Sequence, residues 1–449
     1  MVKNKMKQWP ILIFLFGFIA RFSIELSFGM FPIGFDTNAY YTIFLMRLNI
    51  MEVFFAAPLY YWILVIFYPL GIFGIKLLGS LLVGVLTLSY FYFLRSLDFG
   101  ERESAIFSIA LFFTIFSLRL TWDLHRNVLG FTLVLFALSY RNLDVRKATF
   151  FAFLSGLAHQ TTIFISTSFL APQLLKRNLN AVKIFVGNAI SWGSVVLSPY
   201  IFKKDYNLLR TTSIANIQPY VSSVNLIFFL AWLALPYMIF ILAGLKATIE
   251  EKNWKENEIL TMFLGLLIAS FMASLGYRFI ILSLFPLLII ALHNKKLSRA
   301  FIIFSIIWGA TYIVLPNPYY VNPPDPNYRY AVPTRYFEGS LPRESLYSAY
   351  ELLKDAKNLL NESTTIVLHY ALASAAYLAG YKYDEAIWVI PNHVFDEYLT
   401  DALENYTIVY LVWFYNKIGW HNIEKLPEGY AIVEKIGDMA LYKYAKKSM

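Results

Sequence analysis

Apolar runs long enough to span a bilayer recur from residue 9 to residue 315 and then stop. About 20 apolar residues suffice for one crossing. The first run, Trp9 to about Phe28, is followed by a Gly- and Pro-broken stretch, GMFPIGFDTNAYY (29–41). Further runs fall at 58–74, 75–94, 104–118, 128–140, 148–172, 182–202, 224–246, 258–275, 279–292 and 300–315. The pattern predicts an α-helical polytopic membrane protein of about 11 crossings over residues 1–315. A Pro/Asn/Tyr-rich linker follows at 316–333, where the prolines end any helix. Beyond it, helical patterns near 343–360, 371–379 and 393–404 alternate with short β-branched runs at 365–370, 386–390, 407–413, 430–435 and 439–444. That alternation predicts a small α/β domain over 334–449.

Two runs are ambiguous. Residues 58–74 contain Pro69 and are short, so they either cross or lie along the interface, where Trp62 and the tyrosines are at home. Residues 148–172 are interrupted by Ser155, Gly156, His159, Gln160 and two threonines, which suits one tilted helix or two short helices in a hairpin. Crossing at 58–74 with a single helix at 148–172 puts Asp123 in the cytoplasm. An interfacial 58–74 with a hairpin at 148–172 puts Asp123 outside with Asp36 and the basic loop 141–147 inside, the arrangement that the charge rule favours.

Composition agrees with the pattern. The chain is 58% hydrophobic, 15% charged, and has a mean hydropathy of +0.54, against about 25% charged in soluble domains. Residues 316–449 hold 12 Lys+Arg and 16 Asp+Glu, leaving 26 and 13 of the chain's 38 and 29 for the rest. The basic excess therefore belongs to the membrane part, where anionic headgroups or a phosphate-bearing lipid are natural partners and nucleic acid is not. Lys3, Lys5 and Lys7 put the N-terminus in the cytoplasm, loop 203–223 outside, and HNKKLSR (293–299) inside. The 316–449 tail is then extracytoplasmic, and it carries two glycosylation-type sequons, at Asn361 and Asn405. With no cysteine, a disulfide or thiolate metal site is excluded.

Charges inside apolar helices cost about 2.5 to 3.5 kcal/mol each, which makes them functional candidates. Arg21 and Glu25, four apart, are placed to pair on one face of the first helix, with Glu25 also able to support a site. Asp123 and Arg126, three apart in RLTWDLHRN (119–127), share a face if that turn is helical, next to His125. His159 is a packing residue or a ligand. Arg278, opening an apolar helix, is an interfacial anchor or a bidentate phosphate clamp. Asp36 is a solvated loop residue or a base, with Tyr40 beside it. No Walker loop, dinucleotide fingerprint, HExxH or Gly-x-Ser-x-Gly element is present, and His369, His393 and His421 lack metal spacing.

The ordered series PIGFDTNAYY, APLYYWIL, RLTWDLHRN, GLAHQTT and GYRFIILSLFP over roughly residues 9–292 resembles the GT-C superfamily. These multispanning glycosyltransferases, among them protein O-mannosyltransferases and aminoarabinose transferases, use polyprenyl-phosphate sugars. The resemblance implies an inverting transfer from a polyprenyl (dolichyl) phosphate donor to a glycan, lipid or protein acceptor hydroxyl outside the cell membrane. It implies catalytic roles for Asp36 and Asp123, donor-phosphate binding by Arg278 and Arg126, and support from Tyr40, Glu25 and His159. No nucleotide cofactor is needed, because the lipid donor carries its own leaving phosphate. Relatives often hold a divalent ion (Mg or Mn) on paired acidic residues. Here Phe35 precedes Asp36, leaving Asp36 and Asp123 as the ligands if a metal is used. Competing classes are an EpsG-type polysaccharide polymerase, suggested by DLHRNVLGF and GLAHQTT, a lipid-linked sugar flippase, and a non-enzymatic envelope scaffold.

Overall fold

The computed structural model describes residues 8–48, 58–202, 223–250, 257–272, 276–294, 296–317, 319, 335–338, 341–389, 395–415 and 426–446. The N-terminal lysines, loop 203–222, most of the proline-rich linker, His393 and His421 lie outside the described residues. The chain divides into two compact units. The first comprises Met1–Ser23, Ile50–Ile66 and Leu77–Tyr336, and the second Ile24–Asn49, Phe67–Lys76 and Phe337–Met449. The C-terminal α/β part therefore shares its unit with the stretch that holds Asp36.

The helices of the first part of the chain are α1 (Gln8–Ser27), α2 (Thr42–Met46), α3 (Pro58–Phe67), α4 (Gly71–Ser96), α5 (Glu101–Phe112), α6 (Ile115–Asp123), α7 (His125–Tyr140), α8 (Val145–Ala158), α9 (Thr162–Leu175) and α10 (Leu179–Phe202). They continue as α11 (Ser223–Ala234), α12 (Met238–Glu250), α13 (Glu258–Met272), α14 (Gly276–Leu292) and α15 (Ser298–Val314). Among the described residues, four helical stretches are long and apolar enough to cross a membrane: Gln8–Ser27, Leu59–Ser96, Leu179–Leu197 and Val224–Glu250. A fifth is added if α5 and α6, bent by 62° at their junction, count as one. Helices α9, α13, α14 and α15 are apolar but shorter. The runs expected at 58–74 and 75–94 form one such stretch, interrupted by a 3₁₀ turn at Tyr68–Leu70 where Pro69 withholds its N–H.

In the first unit the short helices run between two ends of a bundle. Arg141, at the close of α7, forms a 2.7 Å ion pair with Glu258 at the start of α13, and Glu258 also accepts from Gln173 near the close of α9. Arg141 further donates to Ser96 at the close of α4. His293, after α14, meets the ring of Phe99 beside these groups, at 5.7 Å. The starts of α7 and α9 meet at the other end. A Cβ on Gly130 would lie 2.8 Å from Thr162 Cγ2 and 3.0 Å from His159 Cβ, so only glycine allows α7 to approach there. Helices α7 and α9 are thus parallel, and α8 returns between their ends. The chain reverses at His159, which settles 148–172 as two helices that turn back. Each has 14 residues, or about 21 Å at 1.5 Å per residue, short of a 30 Å hydrocarbon core.

Arg21 is fully buried in this unit. It donates to the carbonyls of Thr121 (2.9 Å) and Trp122 (3.3 Å) and to the hydroxyl of Tyr336. Those carbonyls belong to the last turn of α6, where helix hydrogen bonding leaves acceptors without intrahelical donors and the dipole favours a cation. Arg21 is therefore the C-terminal cap of a helix one hundred residues away, which local spacing cannot reveal. Arg21→Met should lower stability by about 3 kcal/mol, as expected when buried acceptors lose a charged donor. The measurement is the thermal unfolding midpoint of the detergent-solubilised protein.

In the second unit, strands β1 (Thr364–His369), β2 (Ile387–Val389), β3 (Ile408–Phe414), β4 (Tyr430–Ile436) and β5 (Met439–Ala445) form one sheet in the order β2-β1-β3-β5-β4. The first three are parallel and the last two antiparallel. Helices α16 (Arg343–Lys357), α17 (Ala373–Leu378) and α18 (Phe395–Asn405) complete the unit. The sequence places all five strands and all three helices here. Helix α16 buries Leu346, Ala349, Leu352, Leu353 and Ala356, one stripe of a 3.6-residue period. Strand β3 is buried along almost its whole length, as an inner strand covered on both faces must be, whereas edge strand β4 is largely exposed.

Candidate functional site

RLTWDLHRN is buried rather than a headgroup-solvated turn. Its first half ends α6 and its second opens α7, with Leu124 as the break (φ −83°, ψ 52°). That break removes the three-residue spacing argument for Asp123 and Arg126. Asp123, 3% exposed, instead pairs with Arg119, one helical turn earlier, at 2.8 Å. His125 is a packing histidine: Tyr60 Oη lies 3.2 Å from its Nδ1, and a Cβ on Gly79 would sit 2.7 Å from its Cε1.

Arg126, one turn before Gly130 on α7, is half-buried and lies 5.9 Å from the centroid of the Tyr61 ring. The same face of α7 meets the 159–162 turn through Gly130. Arg278 opens α14 within a turn of the helix start and is also half-buried, its Nε donating to the Tyr277 hydroxyl at 3.3 Å. Its neighbour Phe279 meets Phe164 of α9 edge to face at 5.1 Å. Both guanidinium groups are close enough to act electrostatically on the buried His159 ring. His159 Nδ1 accepts from the Thr161 backbone N–H at 3.2 Å, which places the ring proton on Nε2. The structure therefore places Arg126, His159 and Arg278 at the neighbouring starts of α7, α9 and α14. Two fixed positive charges, an imidazole N–H and three helix N-termini suit an anion with several oxygens.

Asp36, Tyr40 and Glu25 belong to the second unit. The loop is shorter than its glycines and proline suggest. Asp36 is already helical (φ −59°, ψ −30°) and precedes a π-helical turn at Thr37–Tyr41, a rare conformation concentrated at functional sites. Buried groups hold the stretch before it. Lys76, 4% exposed, donates to the carbonyls of Gly29 and Phe31, and the fully buried Glu25 accepts from the Ile33 N–H at 3.2 Å. Asn38 Nδ2 donates to the carbonyls of Pro32 (2.6 Å) and Gly34 (2.9 Å). The Gly34 N–H donates to Glu338 at 2.9 Å, and Ser374 of α17 donates to Asn38 Oδ1. Gly29 has φ +84°, and a Cβ there would meet the Tyr347 hydroxyl at 2.6 Å. Glu25 thus has a role in fixing the loop, and Lys76 shares it. Sequence reading missed Lys76, although a lysine within an apolar run is the signal that could have found it.

Among the described residues no three His, Cys, Asp or Glu side chains gather as a metal set. Asp123, one of the two expected ligands, has its charge balanced by Arg119.

Helices of membrane-spanning length, short helices that reverse within a bundle, and a small α/β unit define the class of this chain. Searches against protein-family models and curated proteins find no match to it.

Proposed function

We propose that the protein is a multispanning, inverting glycosyltransferase of GT-C type. It moves a sugar from a polyprenyl (dolichyl) phosphate to an acceptor hydroxyl at the extracytoplasmic face of the cell membrane, with about 11 crossings in the sense of the hydropathy pattern. The observation that carries this reading is that Arg126, His159 and Arg278 stand at three neighbouring helix starts. A phosphodiester joining a lipid to a sugar is an anion that enters from the bilayer, and such a cluster in an apolar bundle suits it. In the reaction, Asp36 takes the proton of the acceptor hydroxyl as its oxygen bonds to the anomeric carbon. The bond from that carbon to the phosphate oxygen breaks, and the polyprenyl phosphate leaves with the electron pair. Arg126 and Arg278 stabilise the charge gained by the departing phosphate. A single displacement inverts the anomeric centre.

Charge bias supports a sidedness for this reading. The end marked by Arg141 and Glu258 also bears Arg146, Lys147, Lys176 and Arg177, and the loop after α14 carries Lys296 and Arg299. The positive-inside rule assigns that end to the cytoplasm and the Arg126 and Arg278 end to the outside. The chain lacks cysteine, so a single Leu143→Cys, at a position 80% exposed, should react with an impermeant maleimide only from the cytoplasmic side. Labelling from outside would reverse the assignment. The activity itself is tested with purified protein and a polyprenyl-phosphate hexose, reading release of the free lipid phosphate. Movement of the intact donor across a vesicle membrane without such release would identify a flippase instead.

A further inference from the structure

We infer that the second unit carries a pyranose-binding surface formed by Phe35, Tyr40, Arg47 and Tyr383 beside Asp36, so that the acceptor of the proposed transfer is itself a carbohydrate. The binding surface stands on its own geometry, and only its role as acceptor site rests on the proposed transfer.

The π-turn is what builds the surface. Its wider turn brings residues five apart near one another, and the rings of Phe35 and Tyr40 meet edge to face at 5.7 Å. From Tyr40 the ring series continues to Tyr370 (6.0 Å), Trp388 (6.0 Å) and Tyr383, which stacks on Trp388 at 6.1 Å and 8°. Tyr370 and Trp388 are buried, whereas Phe35, Asp36, Tyr40 and Tyr383 are half-exposed. The inner rings thus fix the outer ones. Trp388 Nε1 also donates to the Tyr383 carbonyl at 2.8 Å, and the exposed Arg47 places its guanidinium 5.2 Å from the Tyr383 centroid. Burial, followed by the neighbouring Tyr383 and Tyr40, pushes the Tyr370 phenol above its ordinary range, with Arg47 acting the other way, so its hydroxyl stays protonated.

A sugar ring has an apolar C–H face and a rim of hydroxyls. Fixed aromatic faces match the first, and a carboxylate, a guanidinium and phenols match the second, the usual mixture of a small-molecule site. Rigid tyrosines provide that contact at small entropic cost. A lipid headgroup layer is a poorer occupant, since Asp36 and the exposed Asp384 set carboxylates among the rings and anionic headgroups would be repelled.

The test is saturation-transfer NMR on the full-length protein in detergent, without donor. The probes are gluco-, manno-, galacto- and N-acetylglucosamine oligosaccharides, with a Ser/Thr-rich peptide and anionic-lipid nanodiscs as comparisons. The expected result is saturable binding of at least one sugar series through its ring C–H protons, weakened about tenfold in Tyr383→Ala and in Tyr40→Ala. Arg47→Ala, at an exposed side chain with little risk to folding, should weaken it several-fold, and Arg278→Gln should leave it unchanged. Binding of none of the sugars, equal binding by Arg47→Ala and the tyrosine variants, or saturation of the peptide or lipid alone would overturn the inference. Sugar binding without any glycosyl transfer would keep the surface and remove the proposed function. Transfer to a peptide or lipid acceptor only would keep the proposed function and overturn the acceptor role of the surface.

Discussion

Asp36→Asn should reduce sugar transfer by about 10²–10⁴-fold, the usual contribution of a positioned general base. The substitution keeps the shape of the side chain and removes its basicity. The surrounding stretch is held by other groups: Lys76 on the Gly29 and Phe31 carbonyls, Glu25 on the Ile33 N–H and Asn38 on the Pro32 and Gly34 carbonyls. Asp36 is half-exposed and its backbone is ordinary helix, which asparagine adopts equally, so the variant should retain its fold, as its cooperative thermal transition checks. The loss should therefore appear in kcat with little change in KM for the donor, because the base acts on the acceptor proton. Rapid-quench measurement of polyprenyl phosphate release reads this directly, and wild-type turnover in the variant would remove Asp36 from the mechanism.

Arg278→Gln should lower kcat/KM for the donor by about 10²–10³-fold, the scale found when one preorganised donor to a developing oxyanion is lost. Arg126→Gln should have a comparable effect. The double variant should lose less than the product of the two, because both groups serve one phosphate beside His159. Arg278→Lys discriminates between roles. An interfacial anchor needs only a positive charge on a long stem and should tolerate lysine. A guanidinium that binds two phosphate oxygens is not replaced by an ammonium, and Arg278→Lys should then recover only a small part of the lost activity. Full recovery by lysine would make Arg278 an anchor. Titration with a non-hydrolysable polyprenyl phosphonate adds a reading independent of turnover, with affinity expected to fall in Arg278→Gln and to stay unchanged in Asp36→Asn.

Much of the fold was legible because it depends on local pattern. The breaks at Pro69, Leu124 and His159–Thr161 coincide with polar or proline interruptions of apolar runs. Strand runs such as TIVYLVW, and the amphipathic stripe of α16, announce a small α/β unit without any reference to distant residues. The polar positions stand out in the sequence, but their long-range partners do not. Arg21 and Glu25, four apart on α1, were expected to neutralise each other. Arg21 also caps α6, and Glu25 also holds the loop before Asp36, roles that their spacing on α1 does not reveal. Asp123 was grouped with Arg126, yet the break at Leu124 turns it back toward Arg119.

Composition, apolar run length and charge bias by themselves determined that this chain is built of membrane-length helices followed by a small α/β unit, and which ionisable residues stand out within it. Those properties are sums over neighbouring residues, so they survive without knowledge of the fold. Only the tertiary structure decided that residues 24–49 and 67–76 join the C-terminal unit, that the chain reverses at His159, and that Lys76 fastens the stretch carrying Asp36. The physical reason is that helices apolar on nearly every face carry little information about which face meets which neighbour. A buried charge, in turn, takes its partner from whatever backbone group packing leaves unsatisfied, often a hundred residues away.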